Sequence, residues 1–502
     1  MITFFCSLIA LILGYVFYGK FVEKIFGANP NRTTPAYNQT DGIDYVPMKP
    51  WRVFMIQFLN IAGLGPIFGA VMGAKFGTSA YVWIVVGCIF AGAVHDYISG
   101  MISLRENGAS LPEIISKYLG RRYYHTMRVF IIILLILVGV VFVSGPAGLL
   151  SSLTNNSNIN YWIAIIFVYY LIATLLPIDK IIGKIYPIFS ATLLFMAVGI
   201  IIAIIINRPE LPEITDGLVN RHPNAENMPI FPMVFITIAC GAISGFHSTQ
   251  SPMMARCMTN EKYGRPIFYG AMITEGIVAL IWAAAGIYFF SPEGQTFFGV
   301  TDNATINGNA AAIVDTISKK WLGLFGGILA ILGVIAAPIS TGDTAFRSAR
   351  LMVADMFKIK QIKIKSRLII CIPLFLIAIV ILIYSMKDTE GFSTIWRYFS
   401  WANQVLATVT LWTITSYLSQ NNKKHAYFIS LIPAMIMTVV VVSYILIAPE
   451  GLNAHHTQSY IAGIVVSLCC TASFFSRRAH RIRKEKKEAA NLQVQSHPLS
   501  EN

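Results

Sequence analysis

The chain has 502 residues, of which 55% are hydrophobic and 12% charged, with a mean hydropathy of +0.63. A soluble chain carries about 25% charged residues, so composition excludes an ordinary soluble protein and indicates a polytopic membrane protein. The formal net charge of +14 then reads as orientation in a bilayer, with no nucleic-acid partner implied.

Apolar runs near the ~20 residues that span a bilayer recur along the chain. We expect thirteen spans, at about 2–19, 53–74, 79–103, 128–150, 160–177, 184–206, 230–249, 265–290, 322–342, 366–385, 393–417, 428–447 and 458–475. The first lacks a basic leader and a small-residue cleavage site, so it is expected as a retained helix. Spans two, seven and nine are expected to be interrupted. Ser110-Leu-Pro-Glu113 fits a capping box opening a short interfacial helix, Leu111 to Leu119. The seven cysteines include no CxxC pair, so neither a disulfide framework nor a metal cluster is expected. No cofactor is expected beyond a coupling ion.

Lys and Arg set the orientation. Arg477, Arg478, Arg481, Arg483, Lys484, Lys486 and Lys487 follow the last span. With that end inside, alternation puts most Lys and Arg inside, including Lys358, Lys360, Lys363 and Lys365. The acidic loop 207–229 and the N-terminus then lie outside. The tail 477–502 is expected to be solvated or to touch lipid.

Span two contains Asn60-Ile-Ala-Gly63-Leu-Gly65-Pro66. Span seven contains Cys240-Gly-Ala-Ile-Ser244-Gly-Phe-His247-Ser-Thr-Gln250-Ser-Pro252. Both are Gly-rich interruptions closed by proline. Lying five spans apart, they enter the membrane from opposite sides, the sign of an inverted-repeat transporter. The division expected is 1–52 (peripheral helix and cytoplasmic loop), 53–206 (first repeat) and 207–420 (second repeat). Two peripheral helices (421–476) and the basic tail (477–502) follow. Frequent Gly and Pro in membrane helices would be the plainer explanation. In span nine, Pro338 removes a backbone donor just before Ser340, Thr341, Asp343 and Arg347.

Gly63-Leu-Gly-Pro66, Ala91-Gly-Ala-Val-His-Asp96, Ser244-Gly-Phe-His247, Ala337-Pro-Ile-Ser-Thr-Gly-Asp-Thr-Ala-Phe-Arg-Ser-Ala-Arg350 and Trp396-Arg-Tyr-Phe-Ser-Trp-Ala-Asn-Gln404 resemble motifs of the carbon starvation protein A family. The resemblance covers about residues 45 to 415. It implies the amino acid–polyamine–organocation superfamily, with an all-α fold of about 13 helices and a leucine-transporter-like 5+5 core. It also implies symport of pyruvate or peptides across the inner membrane of nutrient-limited bacteria. The chain is shorter than the best-known members, which carry further C-terminal spans. Pyruvate is the narrow first expectation and di- or tripeptides the alternative.

The same resemblance implies an ion site of Ile61, Ala62, Ala337, Ser340 and Thr341, all oxygen and therefore suited to sodium. The alternative is that both hydroxyls satisfy carbonyls freed by Pro338. Asp343 and Arg347, four apart, can pair on one face, as a gate or a local ion pair. Glu275 and Asp96 are intramembrane carboxylates, which are often functional. They are the proton-coupling candidates, with a helix-to-helix hydrogen bond or an interfacial salt bridge as the alternatives. His247 can take a proton or hydrogen-bond substrate, or satisfy stray carbonyls. Free helix N-termini near Gly63, Gly65, Ser248 and Gln250 suit a carboxylate. Asn60, Asn403 and Gln404 are neutral substrate candidates or interhelical glue. A channel would need a continuous polar path, and an enzyme a motif such as HExxH or GxSxG, which is absent, as is a Walker motif.

Overall fold

The computed structural model describes residues 1–154, 158–175, 182–300, 310–361, 363–387, 391–421 and 425–496. Among these the chain is helical, with no strand. The main helices are α1 (Ile2–Phe26), α2 (Pro50–Ile61), α3 (Gly65–Phe76), α4 (Ser79–Arg105), α5 (Leu111–Leu119), α6 (Arg122–Thr154), α7 (Ile159–Leu175) and α8 (Ile182–Asn207). They continue as α9 (Ile230–Thr237), α10 (Gly245–Ala255), α11 (Glu261–Phe289), α12 (Ala310–Phe357), α13 (Ile364–Lys387), α14 (Gly391–Asn421), α15 (Phe428–Ile447) and α16 (His456–Ser496).

Nine helices among the described residues are long and apolar enough to cross a membrane, ten with the bent pair α2–α3. The expected thirteen is therefore not reached by that measure. The other expected spans correspond to the short α7, the broken α9–α10 and the more polar α14. α5 forms over the expected residues with the Ser110–Glu113 capping box in place. α16 continues as a helix through the basic tail to Ser496, with residues 483–488 exposed.

Two of the three expected interruptions occur. α2 ends at Ala62 (ψ 52°), and Pro66, lacking an N–H, opens α3 after a 53° bend. α9 ends at Ile238 (φ −99°, ψ 66°), and α10 starts only after the extended Ser244. The third does not: α12 runs through Pro338, and its break is at Gly323 (φ 68°). An internal proline forfeits one hydrogen bond and distorts the helix, but neighbours can re-satisfy the freed groups. The carbonyl that Pro338 frees is that of Val334, one turn earlier. Next to the proline, Tyr170 donates to Pro338 O at 3.2 Å, and Ser340 and Thr341 donate to Ala337 O at 2.7 and 2.9 Å, bonds that add to those of the helix itself. α12 is also clamped by α6 and α8, its most extensive contacts.

Single π turns widen four helices, at Gly14–Tyr18, Gly65–Gly69, Cys88–Gly92 and Arg265–Tyr269. Such turns often mark functional segments. Two of them lie just ahead of Asp96 and Glu275 on α4 and α11.

Candidate functional site

The two chain breaks meet. A Cβ added at Gly65 would lie 2.3 Å from Cys240 Cβ, and one at Gly69 would lie 2.7 Å from Thr237 O. Only glycine permits backbones to approach this closely. Gly92 on α4 seats the same break, since its Cβ would lie 2.2 Å from Ala242 O. The first break also leans on α12, with Thr341 Oγ1 3.1 Å from where a Gly63 Cβ would stand.

Side chains on α14 hold the second break open. Asn403 Oδ1 accepts the Phe246 N–H at 2.7 Å, its Nδ2 donates to Ser244 Oγ at 2.9 Å, and Gln404 Nε2 donates to Ile243 O at 2.9 Å. A helix start leaves backbone N–H groups unpaired, and Asn403 takes one of them. Ser248 Oγ donates to Gly245 O at 2.7 Å and lies 3.3 Å from Thr410 Oγ1.

Beside this break the structure brings together three residues that are far apart in sequence. His247 Nδ1 is 2.8 Å from Asp96 Oδ2, and His247 Nε2 is 3.5 Å from Glu275 Oε2. His95 Nδ1 contacts the other Asp96 oxygen at 2.7 Å. All four side chains are completely buried. Buried charges survive in such surroundings only when paired. Asp96 and His247 form a buried hydrogen-bonded pair, and Glu275 faces the other ring nitrogen at 3.5 Å, with no hydrogen bond to either carboxyl oxygen among the described residues. No group of three or more His, Cys, Asp or Glu among the described residues is arranged for a metal.

The other sequence candidates fall around this centre. Thr341 Oγ1 donates toward Leu59 O (3.2 Å) as well as Ala337 O, so both hydroxyls of the expected ion site contact carbonyls of the chain itself. Ile61 and Ala62 lie at the first break, as expected of their sequence positions, and Ala337 supplies the shared carbonyl. Asp343 accepts from the Tyr186 hydroxyl. Arg347 Nη2 donates to Ala173 O at 2.6 Å, and its Nη1 lies 3.8 Å from Asp44 Oδ1. Arg350 Nη2 lies at the same distance from that oxygen. Asp343 and Arg347 thus take partners on other segments.

Sequence reasoning passed over Tyr186, Asp44 and Arg350, whose roles depend on long-range packing. It also passed over Gln57, although Gln57 precedes Asn60 by one helical turn and shares its face.

Comparison with known proteins places this chain in a family. The sequence model described as "Carbon starvation protein CstA" matches residues 1–155, 148–321 and 301–444. An uncharacterized membrane protein of Haemophilus influenzae is 44% identical over 58% of this chain and 91% of its own length. The peptide transporter CstA of Campylobacter jejuni is 26% identical over 91% of this chain and 82% of its own. The pyruvate/proton symporter BtsT of Escherichia coli is 29% identical over 59% of this chain and 51% of its own. Among solved structures, a manganese transporter of Eremococcus coleocola has the same fold, with a TM-score of 0.58. It is 12% identical over 89% of this chain and 99% of that one. The characterised relatives are transporters, which sets the chain among membrane transport proteins and not among enzymes. On the extent of the family match, the chain belongs to the carbon starvation protein CstA family.

Proposed function

We propose that the chain is a secondary active transporter that imports a small carboxylate nutrient by cation symport, alternating access around the crossing of α2–α3 and α9–α10. The observation that carries this is the contact of two broken helices at their breaks beside the buried Asp96–His247–Glu275 chain. Broken helices crossing near the midplane are where such transporters bind substrate and ion. The antiparallel crossing supports a leucine-transporter-like 5+5 core within the amino acid–polyamine–organocation superfamily, with repeats over 53–206 and 207–420. The relatives carry pyruvate and peptides by name, and the proposal covers the carboxylate that both substrates share.

The coupling ion is read as a proton. Asp96, His247 and Glu275 offer a path for one, whereas the Ser340 and Thr341 hydroxyls already bond carbonyls of the chain. Sodium remains the second reading, because Thr341 sits against the first break. The membrane is the bacterial inner membrane, with the N-terminus outside and the C-terminus cytoplasmic by the distribution of Lys and Arg.

The test is uptake of labelled pyruvate and of a labelled dipeptide into proteoliposomes under an imposed pH gradient, with and without sodium. Uptake driven by the pH gradient alone is expected. Strict sodium dependence would overturn the proton reading, and uptake of neither compound would remove the carboxylate assignment.

A further inference from the structure

Gln57 on α2 is completely buried, and neither polar atom of its amide has a hydrogen-bond partner among the described residues. Asn60, one turn on, is in the same condition. Gln250 on α10 is also completely buried; its Nε2 donates to Thr249 Oγ1 at 2.8 Å and its Oε1 has no partner among the described residues. Native interiors leave few such atoms.

Helix geometry turns these amides toward one another. On α2, Met55 O meets Ser190 of α8, Leu59 O meets Thr341 of α12, and Phe54 faces Gly270 of α11. At 3.6 residues per turn, the remaining arc carries Val53, Ile56, Gln57 and Asn60, and the main neighbour left for it is α10. On α10, Gly245 and Ser248 turn to α14, Thr249 and Met253 to α12, and His247 to α4 and α11. The arc left over, with Phe246 and Gln250, turns to α2. The pairs Gly65–Cys240 and Gly69–Thr237 set an antiparallel register. Beyond the breaks α2 and α10 remain in contact, which is where the two arcs meet.

We infer that Gln57, Asn60 and Gln250 form a carboxamide face that selects substrate, and that it takes a small carboxylate bearing its own N–H or O–H donor. This rests on the transporter reading above and narrows its substrate. Each amide offers a carbonyl that only accepts and an NH2 that only donates. A 2-oxo acid, which only accepts, pairs with the NH2 groups and leaves three carbonyl oxygens bare. An amino acid, a hydroxy acid or a peptide unit serves both. Exchanging O and N within Gln57 or Asn60, where both atoms lack a partner among the described residues, does not change this count. A site built to bond a substrate's donor rejects the analogue that lacks it.

The experiment compares wild type with Gln57→Leu, full length. Binding of pyruvate, L-lactate, L-alanine and L-alanyl-L-alanine is measured by thermal shift in detergent, and uptake of the same compounds in proteoliposomes. Wild type is expected to prefer at least one donor-bearing compound over pyruvate, and Gln57→Leu to lose about tenfold of that preference. Ligand-free Gln57→Leu is expected to melt no lower than wild type, since it removes an uncompensated buried amide. Equal preference in both proteins, binding of none of the four, or a lower melting point with unchanged preference would overturn the inference. Binding without uptake would sustain the carboxamide face and remove the transport reading.

Discussion

Glu275→Gln tests the proton path directly. The substitution keeps size and hydrogen-bonding capacity but removes the charge 3.5 Å from His247 Nε2. Both groups are completely buried, and the substitution leaves the ring nitrogen facing an amide that cannot take up a proton. Asp96 cannot compensate in full, because its other oxygen is engaged by His95. The expected phenotype is specific: uptake driven by a pH gradient disappears, whereas exchange of labelled for unlabelled substrate, which needs no net proton movement, persists. Size-exclusion chromatography in detergent should show a monodisperse, inserted protein. Proton-driven uptake equal to wild type would refute the chain Asp96–His247–Glu275 as the proton path.

Three further outcomes are expected. Gly65→Ala drives a methyl group into Cys240 and should destabilise the protein by about 1–3 kcal/mol, the usual range for overpacking. Cys240→Gly in the same chain should restore the melting temperature, and absence of rescue would place the strain elsewhere. Ser340→Ala with Thr341→Ala should leave proton-driven uptake in place; loss of a measured sodium dependence in that double variant would move the coupling assignment to sodium. In loop 207–229, burial would raise the Glu213 carboxyl, but hydrogen bonds from the N-terminal ammonium, Thr3 and Ile2 hold it down at about 2. Its depressed value means that this docking of α1 is complete above the ordinary carboxylate range, about 4.3, and is lost as pH falls through about 2. Hydrogen exchange at Ile2 and Thr3 should rise over that window and stay flat in Glu213→Gln.

Much of this protein is legible along the chain, and the reason is local. Span positions follow from runs of apolar residues, because a bilayer demands length and hydropathy whatever the neighbours. The capping box of α5 and the breaks after Ile61 and Thr237 follow from Ser, Gly and Pro, whose backbone preferences act within a turn. The same local reading failed at Pro338, because packing on α6 and α8 holds α12 continuous through the proline. The sequence also marked Asp96, His247 and Glu275 as costly groups in an apolar setting, each with a bland alternative. What only the tertiary structure decided is that these three come together, that Asp343 and Arg347 take different partners, and that Gln57 is buried without one among the described residues. Such contacts join residues tens to hundreds of positions apart. They depend on glycines that let two broken helices cross within van der Waals distance, a closeness that no periodicity in the chain encodes.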